Sequence, residues 1–245
     1  MSESKIIGKS KELLSKIPFG VSLLRPLYHK FFKQRLIDRQ KKVFQKNALS
    51  VISDFHNCME EYGHFYTLAF GTMLGAVREK GFIKHDFDID VYMWAEDYSH
   101  DMQRNLEERG FQLVQSFVVD DGQSGREETY EKDGVGIDVF YVYPAVNQLP
   151  YCCDFLTTPD CITFEIEMKK YGGVVCRRLE MPFERDRELV DFENIQLYVP
   201  KNAKNLLEFR YGPNYMTPNP NWTVSGYDNH FVVWEGKKGI YKQFN

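Results

Sequence analysis

Asp86-Phe87-Asp88-Ile89-Asp90-Val91 constrains this chain more than any other six residues, because one local conformation alone sorts its side chains by chemistry. On an extended strand successive side chains point to opposite faces, so Asp86, Asp88 and Asp90 share one side while Phe87, Ile89 and Val91 share the other. The apolar side must be buried against other elements. Three carboxylates at i, i+2 and i+4 repel one another unless a cation or a proton offsets them, and carboxylate oxygens are the ligands that hard divalent cations take. The pattern predicts a strand over Ile83–Met93 whose acidic face binds Mg²⁺ or Mn²⁺, with Asp88 and Asp90 as ligands.

Upstream, Phe65 to Phe70 reads as a strand running into Gly71-Thr72, followed by a short helix from Met73 to Glu79 that closes near Gly81. A small residue at such a turn lets backbone N–H groups and the Thr72 hydroxyl approach a phosphate at the helix start. Arg78 and Lys84 lie between turn and acids, where either would neutralise a further phosphate, Arg78 bidentately. Farther along, Asp138 stands between Ile137 and Val139, in a setting that implies burial, and a buried carboxylate needs a metal or a donor. Facing Asp88 and Asp90, it would hold a metal, accept the proton of an attacking hydroxyl, or both. Taken singly these signals are weak, since alternating acids also line solvated strands. Taken together they describe a phosphoryl-transfer site. His85 reads as a hydrogen-bonded neighbour of the acids, and His56 and His64 as core or surface residues.

The surrounding pattern is α+β. Val43 to Tyr62 carries apolar residues at helical spacing, Asp97 to Gly110 repeats this, and Phe111–Val119, Glu127–Lys132 and Val135–Val142 read as strands, the last two joined at Asp133-Gly134. Ile162–Met168, Val174–Leu179 and Ile195–Val199 are further strand candidates, and Lys201–Tyr211 reads as a helix ended by Gly212-Pro213. The expectation is a mixed β-sheet flanked by helices.

Charge divides the chain. Residues 1–46 hold twelve Lys/Arg against three Asp/Glu, leaving nineteen basic and thirty-two acidic residues beyond them. Within the basic part, apolar residues from Leu13 to Ile37 interleave with the cations, broken at Pro18 and Pro26, as in helices lying on an anionic bilayer or packing on a main domain. Residues 1–45 are therefore expected to be a basic amphipathic helical extension, and 46–245 the catalytic domain. The acidic body argues against nucleic acid as a partner. No apolar run reaches the length of a membrane span and no signal peptide is visible, so the expected location is cytoplasmic, peripheral to the inner membrane face. Cys58, Cys152, Cys153, Cys161 and Cys176 show no zinc spacing and read as packed, reduced thiols.

At Gly71-Thr72-Met73-Leu74-Gly75-Ala76-Val77-Arg78, Lys80-Gly81-Phe82-Ile83 and Asp86-Phe87-Asp88-Ile89-Asp90 the sequence resembles the LicD family, a branch of the DNA polymerase beta-like nucleotidyltransferase superfamily that includes the fukutin-related proteins. Pro200, Leu206-Leu207 and Tyr211-Gly212-Pro213 resemble the family's closing helix and Tyr-Gly element. Members commonly carry Pro-Trp before an uninterrupted triple Asp, where this chain has Lys84-His85 and then Phe87 within the acids. The resemblance implies a nucleotidyltransferase-like fold. It also implies transfer of a phosphorylated alcohol, phosphocholine or a polyol phosphate, from a CDP-linked donor to a sugar hydroxyl of a surface glycan, lipid-linked in one form of this reading, with CMP leaving. Two rivals stand beside it: a nucleotidyltransferase that releases pyrophosphate, and a non-catalytic scaffold of the same fold that binds glycan or a partner.

Overall fold

The computed structural model describes residues 25–84, 86–145, 148–219 and 230–244, which form five α-helices and two β-sheets. A long helix, α1 (Arg25–Tyr62), leads into β1 (Thr67–Leu68), α2 (Phe70–Glu79), β2 (Ile89–Trp94), α3 (His100–Glu108) and β3 (Gln112–Val119). The hairpin of β4 (Gly125–Lys132) and β5 (Val135–Val142) follows, then β6 (Tyr151–Leu156), α4 (Phe164–Tyr171) and β7 (Val174–Glu180). A second hairpin, β8 (Arg187–Phe192) and β9 (Ile195–Pro200), precedes α5 (Ala203–Tyr211) and β10 (Phe231–Gln243).

Eight strands form one sheet in the order β1-β2-β5-β4-β3-β10-β7-β6, in which β2 and β5 run parallel and every other pair antiparallel; β8 and β9 pair apart. The sheet curls, because a bridge between Tyr143 and Tyr151 ties the end of β5 to the start of the edge strand β6. All eight residues of β5 are buried, as befits a central strand covered on both faces. Ile137, Val139 and Tyr141 share a core with Ile89, Val91 and Met93 of β2, Val51, Ile52 and Phe55 of α1, and Met102 and Leu106 of α3. The other face carries Asp90 and Tyr92, Asp138 and Phe140, Glu127 and Thr129. The first face is wholly core, where a full burial such as that of Phe55 contributes about 2–3 kcal/mol; the other mixes the acids and Thr129 with the buried rings of Tyr92 and Phe140.

Several elements differ from the sequence expectation. Helix α1 extends from Arg25 to Tyr62, longer than the Val43–Tyr62 expected. Pro26 sits in its first turn, where a missing N–H costs nothing, so this proline opens a helix instead of breaking one. The apolar residues expected to be helical between Leu13 and Leu24 lie outside the described residues. Ile162–Met168, expected as a strand, falls mostly in α4: the Thr163 hydroxyl accepts from the Ile166 N–H at 3.3 Å, Glu165 and Glu167 occupy the first turn, Lys169 and Lys170 the last, and Gly172 closes it at φ 67°. Those caps outweigh the β-branched residues. Strand β2 begins only at Ile89, and β1 is two residues long. Strand β10 is not among the strand candidates, although Phe231-Val232-Val233-Trp234 and Ile240-Tyr241 carry the β-branched and aromatic residues that strands favour. Among the described residues no helix is long and apolar enough to cross a membrane, and all five cysteines are buried thiols.

Candidate active site

Parallel pairing of β2 with β5 sets Asp90 directly opposite Asp138, and Asp88 precedes β2 by one residue. Asp88, Asp90 and Asp138 each offer a carboxylate oxygen within 4.8 Å of those of the other two. Asp138 is buried, the other two half-buried. Three carboxylates this close, with no cation among them, would repel strongly; an all-oxygen donor set of this size matches Mg²⁺ or Mn²⁺.

The backbone of Asp90 is fastened to the turn before α2 from both sides. Its N–H donates to the Thr72 hydroxyl oxygen at 3.0 Å, and its carbonyl accepts from the Ala69 N–H at 2.9 Å. The turn itself is tense. Phe70, the first residue of α2, has φ 39°, a conformation costing a non-glycine residue about 1–3 kcal/mol. Its ring offsets that cost by packing edge-on against Phe140 at 4.9 Å and Tyr92 at 5.2 Å.

Gly71 is needed for close approach, though by a group the sequence did not suggest. A Cβ there would lie 2.2 Å from Oδ2 of Asp86, so the group that approaches this turn is the chain's own carboxyl. Asp86 precedes β2 instead of lying on it; its Oδ1 accepts from the Phe87 N–H at 3.1 Å. Burial first, then the charge of Asp88 and a hydrogen bond with it, push the Asp86 carboxyl well above the usual carboxylate range.

Asp138 has a partner of its own. Across the β4–β5 hairpin Thr129 lies opposite it, and the Thr129 hydroxyl donates to Asp138 Oδ1. At the other side of the acids stands the end of α5. Burial first, and then Asp90, Asp86 and Asp88, push the Tyr211 phenol above its ordinary value, with Arg210 acting in the opposite sense. Tyr92 responds likewise, to burial first and to Cys152, Tyr211 and Asp90, again opposed by Arg210. Thr129 and Arg210 were not singled out from sequence. The two-residue turn at Asp133-Gly134 did contain the signal for Thr129: with Lys132 opposite Val135, equal counting places Thr129 opposite Asp138.

Arg78 and Lys84, the expected cations, stand on the helix after the turn and just before the acids. Arg78 lies on the last turn of α2, about 10 Å along the helix from Gly71, and donates to Glu79 at 2.7 Å and to the Tyr215 carbonyl at 3.3 Å. Lys84 is exposed on the turn before Asp86, and His85 lies outside the described residues.

Residues 63–202, more than half of the chain and the whole span from the turn through both acidic strands, match the family model described as LicD/FKTN/FKRP, nucleotidyltransferase domain. The chain belongs to this family. Three relatives show the range of similarity. The lipopolysaccharide cholinephosphotransferase LicD of Haemophilus influenzae is 48% identical over 51 residues, which cover 21% of this chain and 19% of that protein. An uncharacterized Caenorhabditis elegans protein, T07A5.1, is 33% identical over 112 residues, 42% of this chain and 28% of its own length. The ribitol-5-phosphate transferase FKTN of Mus musculus is 24% identical over 200 residues, 78% of this chain and 38% of its own length. The chain thus spans well under half the length of these three relatives.

Proposed function

We propose that this LicD-family chain is a divalent-metal-dependent phosphotransferase. In this reading it moves a phosphorylated small alcohol, phosphocholine or a polyol phosphate, from a CDP-linked donor to a sugar hydroxyl of a cell-surface glycan, and CMP leaves. The observation that carries the reading is the convergence of Asp88, Asp90 and Asp138 beside the Gly71-Thr72 turn, in a family whose relatives are named for cholinephosphate and ribitol-5-phosphate transfer.

Asp88 and Asp90 would hold the ion, with Asp138 completing the set or taking the proton of the acceptor hydroxyl. A bound Mg²⁺ or Mn²⁺ supplies charge neutralisation on phosphate oxygens. Thr129 donates to Oδ1 of Asp138 and so holds that carboxylate in place beside its two companions. The first N–H groups of α2, at Gly71 and Thr72, offer donors and a positive dipole end to a phosphate. Lys84 is proposed to offset donor charge from the exposed turn; Arg78 would do so on exchanging Glu79 for a phosphate. The basic residues 1–45 are proposed to hold the enzyme on an anionic membrane face, where a lipid-linked acceptor would be presented.

The test is product analysis. Purified protein with Mg²⁺ or Mn²⁺ and a panel of CDP-linked alcohols is expected to release CMP, and Asp90→Asn to lose about a hundred-fold or more in turnover while keeping its fold, since the bonds from Asp90 to Thr72 and Ala69 are backbone bonds. Release of pyrophosphate from CTP instead of CMP from the conjugates would replace the reading, and calorimetry showing no metal-dependent nucleotide binding would end it.

A further inference from the structure

An irregularity in the pairing of β3 with β4 aims one glutamine at the acidic face. Leu113 pairs with Tyr130, yet Gln115 pairs with Thr129, so β3 advances two residues against one of β4. Without this bulge, alternation would leave Gln115 on the Leu113 side, toward Tyr130. With it, Gln115 joins a lateral row on the other face: Asp90, Asp138, Thr129, Gln115. The bulge is pinned from just beyond β10, where the Phe244 N–H donates to the Val114 carbonyl at 3.0 Å. Bulges of this kind re-aim side chains next to sites.

Gln115 is 8% exposed, and its amide nitrogen, a double donor, has no hydrogen-bond partner. A backbone defect that turns a polar side chain into the interior and gives it nothing to bond stabilises nothing by itself. It has a use if a ligand oxygen fills the gap. Two strand spacings separate Gln115 from Asp138, about 10 Å between main chains, so that oxygen belongs to a group attached to the reacting phosphate or hydroxyl rather than to the reacting atoms.

Resting on the phosphotransferase reading above, we propose that the Gln115 amide donates to a hydroxyl of a polyhydroxylated group, either the polyol of the donor or the sugar of the acceptor. An amide N–H has nothing to offer a trimethylammonium head, so the row selects polyol over choline when the donor is the source. Gln115 is then a specificity-determining residue.

The experiment compares the full chain with Gln115→Leu, and with Gln115→Met as a closer match in shape. Each is titrated calorimetrically with Mn²⁺, then at saturating Mn²⁺ with CMP, CDP-ribitol and CDP-choline, and CMP release from CDP-ribitol is followed with a panel of methyl glycosides as acceptors. The variants are expected to keep Tm, Mn²⁺ affinity and CMP affinity, because no bond within the protein is lost. A roughly ten-fold weaker affinity for CDP-ribitol, with CDP-choline unaffected, assigns the donor polyol; an unchanged donor affinity with a roughly ten-fold higher KM for glycoside at unchanged kcat assigns the acceptor. Equal constants in all three proteins overturn the proposal. So does a parallel fall in Tm, Mn²⁺ and CMP binding, which marks a purely structural glutamine, and so does wild-type protein that neither prefers CDP-ribitol to CMP nor responds to glycosides. Mn²⁺ binding that is the same in wild type and Asp90→Asn instead removes the phosphotransferase reading, and the Gln115 proposal with it.

Discussion

At the scale of single residues, the site depends on bonds that a list of acids does not contain. Thr129 fixes one oxygen of Asp138, so Thr129→Val is expected to weaken Mn²⁺ binding by about 10- to 100-fold per folded molecule and to lower Tm as well, because a buried carboxylate loses a donor, and Thr129→Ser to restore both, read by calorimetry. Away from the acids, His64 accepts at Nε2 from the Asn105 side-chain amide at 3.1 Å, a bond the protonated ring cannot make. Burial lowers the His64 pKa below 6.5, with Asp101 opposing. A depressed folded-state pKa means that this contribution is complete above the unfolded value and is lost as pH falls through the folded one. The urea midpoint of wild type is therefore expected to fall more steeply between about pH 7 and pH 5 than that of His64→Gln. The alternation that makes Asp88 and Asp90 companions was legible at this scale. The place of Asp86 was not: β2 starts too late to include it, and the carboxyl settles against Gly71.

At the scale of elements, the β4–β5 hairpin serves two faces at once. Its site face carries Thr129 and Asp138. On its core face the buried Glu128 accepts from the Tyr130 and Tyr141 hydroxyls at 2.9 and 2.8 Å and pairs with Arg126 at 2.8 Å. Tyr141→Phe would take one donor from a buried carboxylate, and a loss of about 1.5–3 kcal/mol in unfolding free energy is expected by urea denaturation, with turnover per folded molecule preserved. Hairpin, helix faces and the strand-turn-helix order were readable because each is fixed by residues close in sequence. Helix α4 differs from the strand reading for a local reason: Ile162, Phe164 and Ile166 favour a strand, but the Thr163 cap and Gly172 at its end decide so short a segment.

At the scale of the whole molecule, charge separates along the chain, with the basic excess confined to residues 1–46 and an acidic body after it. If the basic segment meets an anionic surface, each cation near it contributes about 1 kcal/mol, so replacing Lys9, Lys11 and Lys16 by Gln is expected to lower partitioning into phosphatidylserine vesicles by about 100-fold at low salt, with the difference shrinking as salt rises. Unchanged co-sedimentation with the vesicles would remove the membrane role and leave the chemistry untouched.

The sequence by itself determined the acid pattern, the glycine turn and the helix and hairpin signals, because alternation, capping and turn chemistry act over a few residues. Tertiary structure alone decided that β2 lies parallel to β5 with Asp90 against Asp138, that β10 inserts between β3 and β7, and that a bulge turns Gln115 to the acidic face. Pairings between distant strands are settled by which faces can be buried together, and a slip of one residue would turn every side chain of β5 to the opposite side.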